Sequence, residues 1–409
     1  MHLTMVSSLD SHCRAEAVKL VGRGHRDSVL VLHDLLPDSR VLRRVHFRDR
    51  IIDRQEKLLE HGCLACTVRL DVVPTVREFA RAGCPHLVLG LPPGVAAGQV
   101  LEELRINGPD DLVIDNLLVA VDPSELDDQI WDPRTLHDAG FTPMPTDDRV
   151  SGEFLVGEFA LGDTVLTVPG LSTSLATDLA MDAASNPAAD RDAAADADRD
   201  ADALSAPALT GPSWTEGVRL LGHLAPHAAV LAAGDEFRPG CHDRAEALTR
   251  SRPGAVLAPR EQDPADGPGA FRTVVHRLAR PLHPLRLHLN LPELAQGAHW
   301  LRGTLRLASS GYRSVALQGV GPRVWMELAE RPAPGARPEP FPTRWGGGPL
   351  TAEAAVVAVT GRAEDIDPAT VARLLDSCQL SDAELALNPA RFPDPFGLPD
   401  RDPTAWPGL

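Results

Sequence analysis

Short apolar runs rich in β-branched residues alternate with helical patterns through the first half of the chain. The apolar runs predict strands at residues 3–6, 28–32, 41–47, 87–91, 113–121, 164–168 and 228–232. Apolar positions spaced as on one face of a helix predict helices at residues 14–21, 72–82, 95–104 and 215–224. Strands that alternate with helices favour a parallel sheet with helices on both faces, so we expect an α/β domain.

The second half of the chain predicts a separate, smaller α+β domain. It mixes strand patterns at residues 273–278, 303–308, 314–317, 324–328 and 354–359 with a helix at residues 368–378. We place the first domain at 1–245, a Pro- and Gly-rich linker at 246–270, the second domain at 271–386 and a Pro/Asp-rich tail at 387–409. Residues 179–212 are rich in Ala and Asp, lack aromatic residues and predict a disordered insertion in the first domain.

Composition excludes several classes of function. A net charge of −17 gives no general attraction for nucleic-acid phosphates, so we expect no direct nucleic-acid specificity. No apolar run is long enough for a membrane span, and the first ten residues lack the pattern of a signal peptide. Six cysteines in 409 residues are too sparse for a secreted disulfide scaffold. These features predict a cytoplasmic protein with reduced thiols and no membrane partner.

The most specific local motif is His-Gly-Cys-Leu-Ala-Cys-Thr-Val-Arg at residues 61–69, directly before a predicted helix. Two thiolates on one turn can bind one Zn²⁺ ion at tetrahedral angles, and the helix dipole would lower their pKa. Cys63 and Cys66 are therefore candidate zinc ligands, although a redox pair or two buried small residues would give the same spacing. Two ligands do not complete a zinc site. The candidates for the others are His61, His46, Cys84 and His86.

This motif resembles that of the CobW-type metallochaperone GTPases, which carry Gly-Cys-x-Cys-Cys in the same place. The chain keeps Gly62, Cys63 and Cys66, with Ala65 instead of the middle cysteine. In the second half, three further stretches resemble packing motifs of the family; they are residues 280–284, 300–308 and 366–385. The resemblance implies a P-loop-NTPase-like parallel sheet with flanking helices, followed by the smaller α+β domain of CobW proteins.

The phosphate-binding loop departs from the family's pattern, which closes with Gly-Lys-Thr. The amides and lysine of that pattern hold phosphates, and its hydroxyl holds Mg²⁺. Here the stretch at residues 7–15 reads Ser-Ser-Leu-Asp-Ser-His-Cys-Arg-Ala, where Asp10 adds a negative charge. Serines and a cysteine replace glycines, an arginine replaces the lysine and an alanine replaces the hydroxyl residue. The residues of this degenerate loop are Ser8, Ser11, Cys13, Arg14 and Ala15.

The other nucleotide-binding residues of the family are replaced as well. The strand at 87–91 ends in Gly90 and Leu91, where the family has an acidic residue that supports Mg²⁺. No Asn-Lys-x-Asp motif for guanine follows Glu158-Phe159-Ala160 in residues 163–170. These replacements argue against GTP and Mg²⁺ as cofactors and against efficient GTP hydrolysis.

Three functions remain open. An actinobacterial branch of the family keeps Cys-x-x-Cys beside an eroded phosphate loop. Resemblance to that branch implies a non-enzymatic protein that recruits a ribosome hibernation factor to ribosomes in response to zinc. The alternatives are a GTP-dependent zinc metallochaperone that hands on metal from Cys63 and Cys66, and a thiol redox protein. The eroded loop favours the first.

Overall fold

The computed structural model describes most of the chain. The described residues are 1–25, 27–48, 50–59, 63–170, 211–240, 242–259, 269–310, 314–328, 344–345, 348–349, 355–387 and 391–398. Most of the predicted insertion at 179–212 and the end of the predicted tail at 387–409 lie outside these residues. The chain divides into two compact units, Met1–Ala247 and Leu248–Leu409.

The first unit is built on an eight-stranded sheet. Its strands are β1 (His2–Ser7), β2 (Val29–Leu36), β3 (Arg40–Phe47), β4 (Arg50–Leu58), β5 (His86–Gly90), β6 (Val113–Val121), β7 (Thr164–Thr167) and β8 (Ala229–Ala232). They lie in the order β4-β3-β2-β5-β1-β6-β7-β8. Strand β3 is antiparallel to its neighbours β2 and β4, and all other neighbouring strands are parallel.

Helices connect these strands. They are α1 (Ser11–Gly24), α2 (Leu64–Thr67), a π-helical segment (Val68–Val72), α3 (Val73–Arg81), α4 (Ala97–Asn107), α5 (Pro123–Trp131), α6 (Ser151–Leu161), α7 (Pro212–Leu224) and α8 (Arg244–Arg250). No helix of the described residues is both long and apolar enough to cross a bilayer.

Both faces of the sheet are covered, which explains the continuous apolar runs of its parallel strands. On one face, Met5 of β1 belongs to a buried cluster with Val76 of α3 and Val100 of α4. On the other face, Val6 of β1 packs in a cluster with Val18 of α1. The prediction of an α/β fold with a mostly parallel sheet and flanking helices is confirmed.

Several elements of the first unit are not predicted by the hydrophobic pattern, among them β4, α5 and α6. Strand β4 has no apolar alternation, because eight of its nine residues are exposed. Helix α6 is apolar on nearly all sides and is mostly buried, so it lacks an amphipathic stripe. Helix α5 does have a start signal, since Asp122 caps it and Pro123 occupies its first turn.

The second unit contains a five-stranded antiparallel sheet. Its strands are β9 (Phe271–Leu278), β10 (His299–Arg306), β11 (Ser314–Val320), β12 (Arg323–Leu328) and β15 (Ala355–Arg362), and β13 (Arg344–Trp345) pairs separately with β14 (Gly348–Pro349). The order in the sheet is β12-β11-β10-β15-β9. The helices are α9 (Pro284–Leu294), a 3-10 turn (Ala308–Ser310), α10 (Pro368–Cys378) and α11 (Asp382–Leu385). Leu301 of β10 and Val357 of β15 pack in one cluster with Leu375 of α10. The predicted second sheet with helices is confirmed.

The strand order places one position of the first unit where ligands usually bind in open α/β sheets. The connection from β1 leads to β2 on one side, whereas the connection from β5 crosses to β6 on the other side of β1. Ligands bind outside the carboxyl ends of strands where the order reverses in this way. A ligand-binding site is therefore expected at the loop after β1.

Candidate functional site

Only three residues, Ser8, Leu9 and Asp10, separate β1 from α1. The Ser8 hydroxyl donates to the carbonyl oxygen of Ala120 on β6 (2.7 Å) and accepts the amide of Asp10 (3.1 Å). Leu9 is buried, whereas Ser11, the first residue of α1, is exposed. The loop is therefore short and tied to the neighbouring strand.

The carboxylate of Asp10 caps α1. Its Oδ1 accepts the amide hydrogens of His12 (2.5 Å) and Cys13 (3.0 Å). Free amides at a helix N-terminus are what binds phosphate in nucleotide-binding loops, and the helix dipole favours a negative charge there. The chain's own carboxylate thus occupies the position that a phosphate would take.

Cys13 and Ala15 face the interior of the unit. The Cys13 side chain is fully buried, and its thiol donates to the carbonyl oxygen of Val168 (3.7 Å). Burial, followed by the charge of nearby carboxylates, raises the pKa of the Cys13 thiol, which therefore stays neutral. Ala15 packs against the buried cluster that contains Val6 and Val18, and its methyl side chain offers no oxygen to a metal ion.

Arg14 of the loop region is fully buried and points away from the loop. Its Nη1 donates to the carbonyl oxygens of His33 (2.6 Å) and Leu91 (2.7 Å), and its Nη2 pairs with Asp34. Arg44 binds the second oxygen of Asp34 at 2.5 Å. Burial opposes ionisation of Asp34, but the two arginines outweigh it and lower its pKa. The guanidinium of Arg14 is thus committed to a structural ion pair.

A second carboxylate lies close to the Asp10 cap. Asp122 caps α5 by accepting the amide of Ser124 (2.8 Å), and its other oxygen accepts the amide of Gly170 (2.7 Å). A Cβ atom at Gly170 would lie 3.0 Å from Asp122 Oδ2 and 3.4 Å from Asp10 Oδ2. Two negative charges therefore flank one point at the carboxyl ends of β1 and β6, where they would repel a polyphosphate.

The residues present do not fit GTP and Mg²⁺. The amides of α1 are taken by Asp10, Arg14 is bound to Asp34, and Ala15 has no hydroxyl group. The end of β5 supplies no carboxylate either, because the side chain of Leu91 is apolar and fully buried. The α1 amides and Arg14 are the groups that could still hold a phosphate, and both are bonded to carboxylates of the chain itself.

The two thiols of the Cys-x-x-Cys motif lie at the start of α2. Cys63 caps the helix, and its Sγ accepts the amide hydrogen of Cys66 at 3.2 Å. Both side chains are partly exposed. The hydrogen bond with Cys63 raises the pKa of the Cys66 thiol, with smaller contributions from burial and from the charge of Cys63. This shift is opposite to the lowering of the pKa that the helix dipole predicts, because the hydrogen bond with Cys63 favours the neutral thiol of Cys66.

Three of the four residues suggested as further zinc ligands are remote from this pair. Cys63 follows the carboxyl end of β4, whereas Cys84 and His86 lie at the amino end of β5. His46 pairs with Leu30 near the amino end of β2, at that same opposite edge of the sheet. The described residues contain no group of three or more side chains arranged to hold a metal ion. His61 lies outside the described residues. The pair alone fits zinc as two of its four ligands.

The helical segment after the thiols is connected to the Arg14 ion pair through β2. Asp71, in the π-helical segment, lies 3.2 Å from Nε2 of buried His33, and Thr75 donates to its carbonyl oxygen (2.8 Å). Burial opposes ionisation of Asp71, but the contact with His33 is the first of several that together lower its pKa. His33 and Asp34 are consecutive, so one strand holds both groups. No local pattern identifies these residues, because each contact joins distant parts of the sequence.

Comparisons with known proteins find similarity only among solved structures. No protein-family model matches the chain, and no curated protein does. The chain is similar to the Zn(II)-bound YjiA GTPase from E. coli, with 12% identity and a TM-score of 0.34. It is equally similar to a Zn(II)-bound triple mutant of the YjiA GTPase, with 12% identity and a TM-score of 0.35. Both similarities cover 93% of this chain and 99% of the other.

Proposed function

We propose that this protein is a zinc-responsive recruitment protein of the CobW type that binds the metal through Cys63 and Cys66 and does not hydrolyse GTP. The observation that carries the proposal is the cap of α1, in which the Asp10 carboxylate accepts the two amides that a phosphate would need. With this position filled from within the chain, the thiol pair is the candidate for ligand binding that remains among the described residues.

The geometry of the thiols supports a site that responds to metal. Both side chains are partly exposed and share one hydrogen-bonding turn, so a soft cation can reach them directly. Binding of Zn²⁺ removes the thiol protons and couples metal occupancy to the local structure of α2. Because the described residues supply only two ligands, a partner protein can complete the coordination. Zinc occupancy would then control association.

The partners follow from the resemblance to the actinobacterial branch, which supports a ribosome hibernation factor and, through it, the ribosome. The net charge of −17 supports contact through protein surfaces over contact with ribosomal RNA. The GTP-dependent zinc metallochaperone is the alternative, because the same thiol pair would serve it.

Nucleotide titration separates these two functions. Calorimetric titration of the full-length protein with GTP and Mg²⁺ should show no binding in the micromolar range, because the amides of α1 are already bonded. Micromolar affinity for GTP would overturn the non-hydrolysing function and favour the metallochaperone.

Zinc analysis tests the metal site. The variant Cys63→Ser/Cys66→Ser should lose the zinc that the unmodified protein retains after dialysis. The control is Cys84→Ser, since Cys84 lies at the opposite edge of the sheet and should not affect bound zinc. Equal zinc content in all three proteins would contradict the assignment.

Co-sedimentation tests recruitment. Ribosomes from zinc-starved cells should carry the protein to the pellet together with the hibernation factor, and Cys63→Ser/Cys66→Ser should change the amount recovered. Absence of the protein from the ribosomal pellet, with and without the factor and at low and high zinc, would refute the recruitment function.

A further inference from the structure

Strand β4 is an exposed edge of the large sheet. Among the described residues it pairs with β3 only, and eight of its nine residues are exposed. Three of these are apolar: Ile51 and Ile52 are each 58% exposed, and Leu58 is 72% exposed. An edge of this length offers a row of unpaired backbone N–H and C=O groups to another strand.

We propose that β4 pairs with β4 of a second copy of this chain, antiparallel about a twofold axis at Gln55. In an antiparallel pair, directly opposite residues point to the same face, so the axis must lie midway between one residue and the same residue of the second copy. With Gln55 opposite Gln55, Arg54 lies opposite Glu56 and Asp53 lies opposite Lys57. The ladder of β4 with β3 shifts register between Val45 and His46, so Ile52 lies at a bulge and the regular pairing runs from Asp53 to Lys57. Each of these charged pairs occurs twice, and each is complementary in charge.

The neighbouring registers lack this complementarity. An axis at Asp53 places two aspartates opposite each other, an axis at Arg54 places two arginines, and an axis at Glu56 places two glutamates. Like charges that are directly opposite destabilise a strand pair. Of the four central positions of β4, Gln55 is thus the one whose register sets no like charges against each other.

The contacts already made by β4 leave these groups accessible. Glu56 pairs with Arg40 at 2.8 Å, and Asp53 pairs with Arg43 at 3.3 Å, both from β3. The side chains of Glu56 and Asp53 remain 46% and 40% exposed. A carboxylate can accept from more than one cation, so each can bind a basic residue of the second copy on its outer side.

The β4 pairing is independent of zinc. Leu58 lies three residues from the proposed axis, so at about 3.4 Å per residue the two copies of Leu58 are roughly 20 Å apart. The thiols of Cys63 and Cys66 follow Leu58 in sequence and lie outside the paired residues. Neither thiol takes part in the β4 pairing, so failure of the zinc function would leave the proposal standing.

Sedimentation equilibrium of the full-length protein over a concentration series tests the pairing. The unmodified protein should form a dimer, and EDTA should leave its dissociation constant unchanged. Arg54→Glu should weaken the dimer about 30-fold, because two attractive contacts become repulsive ones, and Glu56→Arg should do the same. Arg81→Glu, which reverses a charge on the exposed side of α3, is the matched control and should not change the constant.

Mixing the two single variants gives the decisive result. Both glutamates of the Arg54→Glu chain then face the two arginines of the Glu56→Arg chain, so every charged contact at these positions is attractive again. Native mass spectrometry should detect this heterodimer at a concentration where neither variant dimerises alone. Formation of the heterodimer also shows that both variants are folded. A monomer at every concentration of the unmodified protein, a dimer unaffected by either substitution, or a dimer dissociated by EDTA would overturn the proposal.

Discussion

Replacing Asp10 with alanine tests whether the chain's own carboxylate occupies the anion position of α1. The substitution removes the acceptor for the amides of His12 and Cys13 and exposes both amides to solvent. Asp10→Asn is the matched control, because asparagine caps a helix about as well as aspartate but carries no charge.

The expected loss of stability follows from the two contacts. Removal of a helix cap costs about 1 kcal/mol, and loss of a negative charge at a helix N-terminus costs about 0.5 kcal/mol more. For a unit the size of Met1–Ala247, a loss of about 1.5 kcal/mol lowers Tm by about 3 to 6 °C. Asp10→Asn should keep most of the cap and lower Tm by about 1 to 2 °C.

The assay is thermal unfolding followed by circular dichroism, with sulfate or chloride added at equal ionic strength. The amides freed in Asp10→Ala should bind sulfate, so sulfate should raise the Tm of this variant more than it raises the Tm of the unmodified protein. Asp10→Asn should respond as the unmodified protein does, because its side chain still fills the position.

Two results would refute this reasoning. An Asp10→Ala variant that unfolds at the temperature of the unmodified protein would show that the cap contributes nothing. An equal response of all three proteins to sulfate would show that Asp10 does not compete with an anion for the α1 amides.

Three further predictions concern buried charged groups. Arg14→Met should reduce the free energy of unfolding by about 3 to 5 kcal/mol, because Asp34 loses its buried partner. Arg44 is more exposed, so Arg44→Met should reduce it by about 1 kcal/mol or less. Urea unfolding measures both. Burial raises the pKa of Glu158 to about 7, so stability should fall as pH rises from about 4.5 to about 7, and Glu158→Gln should remove this fall in urea midpoints. Burial, followed by His25, lowers the pKa of His86 to about 4, so stability should fall as pH drops from about 6.5 to about 4; His86→Gln should flatten that limb in the same assay.

The parts of the fold that could be predicted from the sequence are those with a one-dimensional signal. Parallel strands buried on both faces give continuous apolar runs, and helix α10 begins with a capping aspartate and ends at the predicted residue, Cys378. Strand β4 gives no such signal, because it is held by backbone pairing with β3 and buries almost no side chain. Helix α9 is also missed, since Pro292 interrupts its pattern.

The residues of the candidate site also differ in how far the sequence alone predicts them. The sequence locates the loop and the thiols, but the apolar pattern begins at residue 14, so the role of Asp10 as the cap of a helix that starts at Ser11 is not predicted. The direction of Arg14 could not be predicted, because it depends on carbonyl groups and a carboxylate supplied by β2 and the end of β5. The raised pKa of Cys66 likewise depends on the rotamer that directs Cys63 towards it.

The Asp10 cap also determines how any response of this protein can be reset. A GTPase passes through its states in one direction, because hydrolysis supplies energy and product release ends the cycle. The ligand at α1 is part of the chain here, so it can be neither exchanged nor consumed. If zinc and a partner alone determine whether the protein is bound, the bound state is at equilibrium, and no energy-consuming step limits its lifetime. Its occupancy follows their concentrations and reverses when they fall.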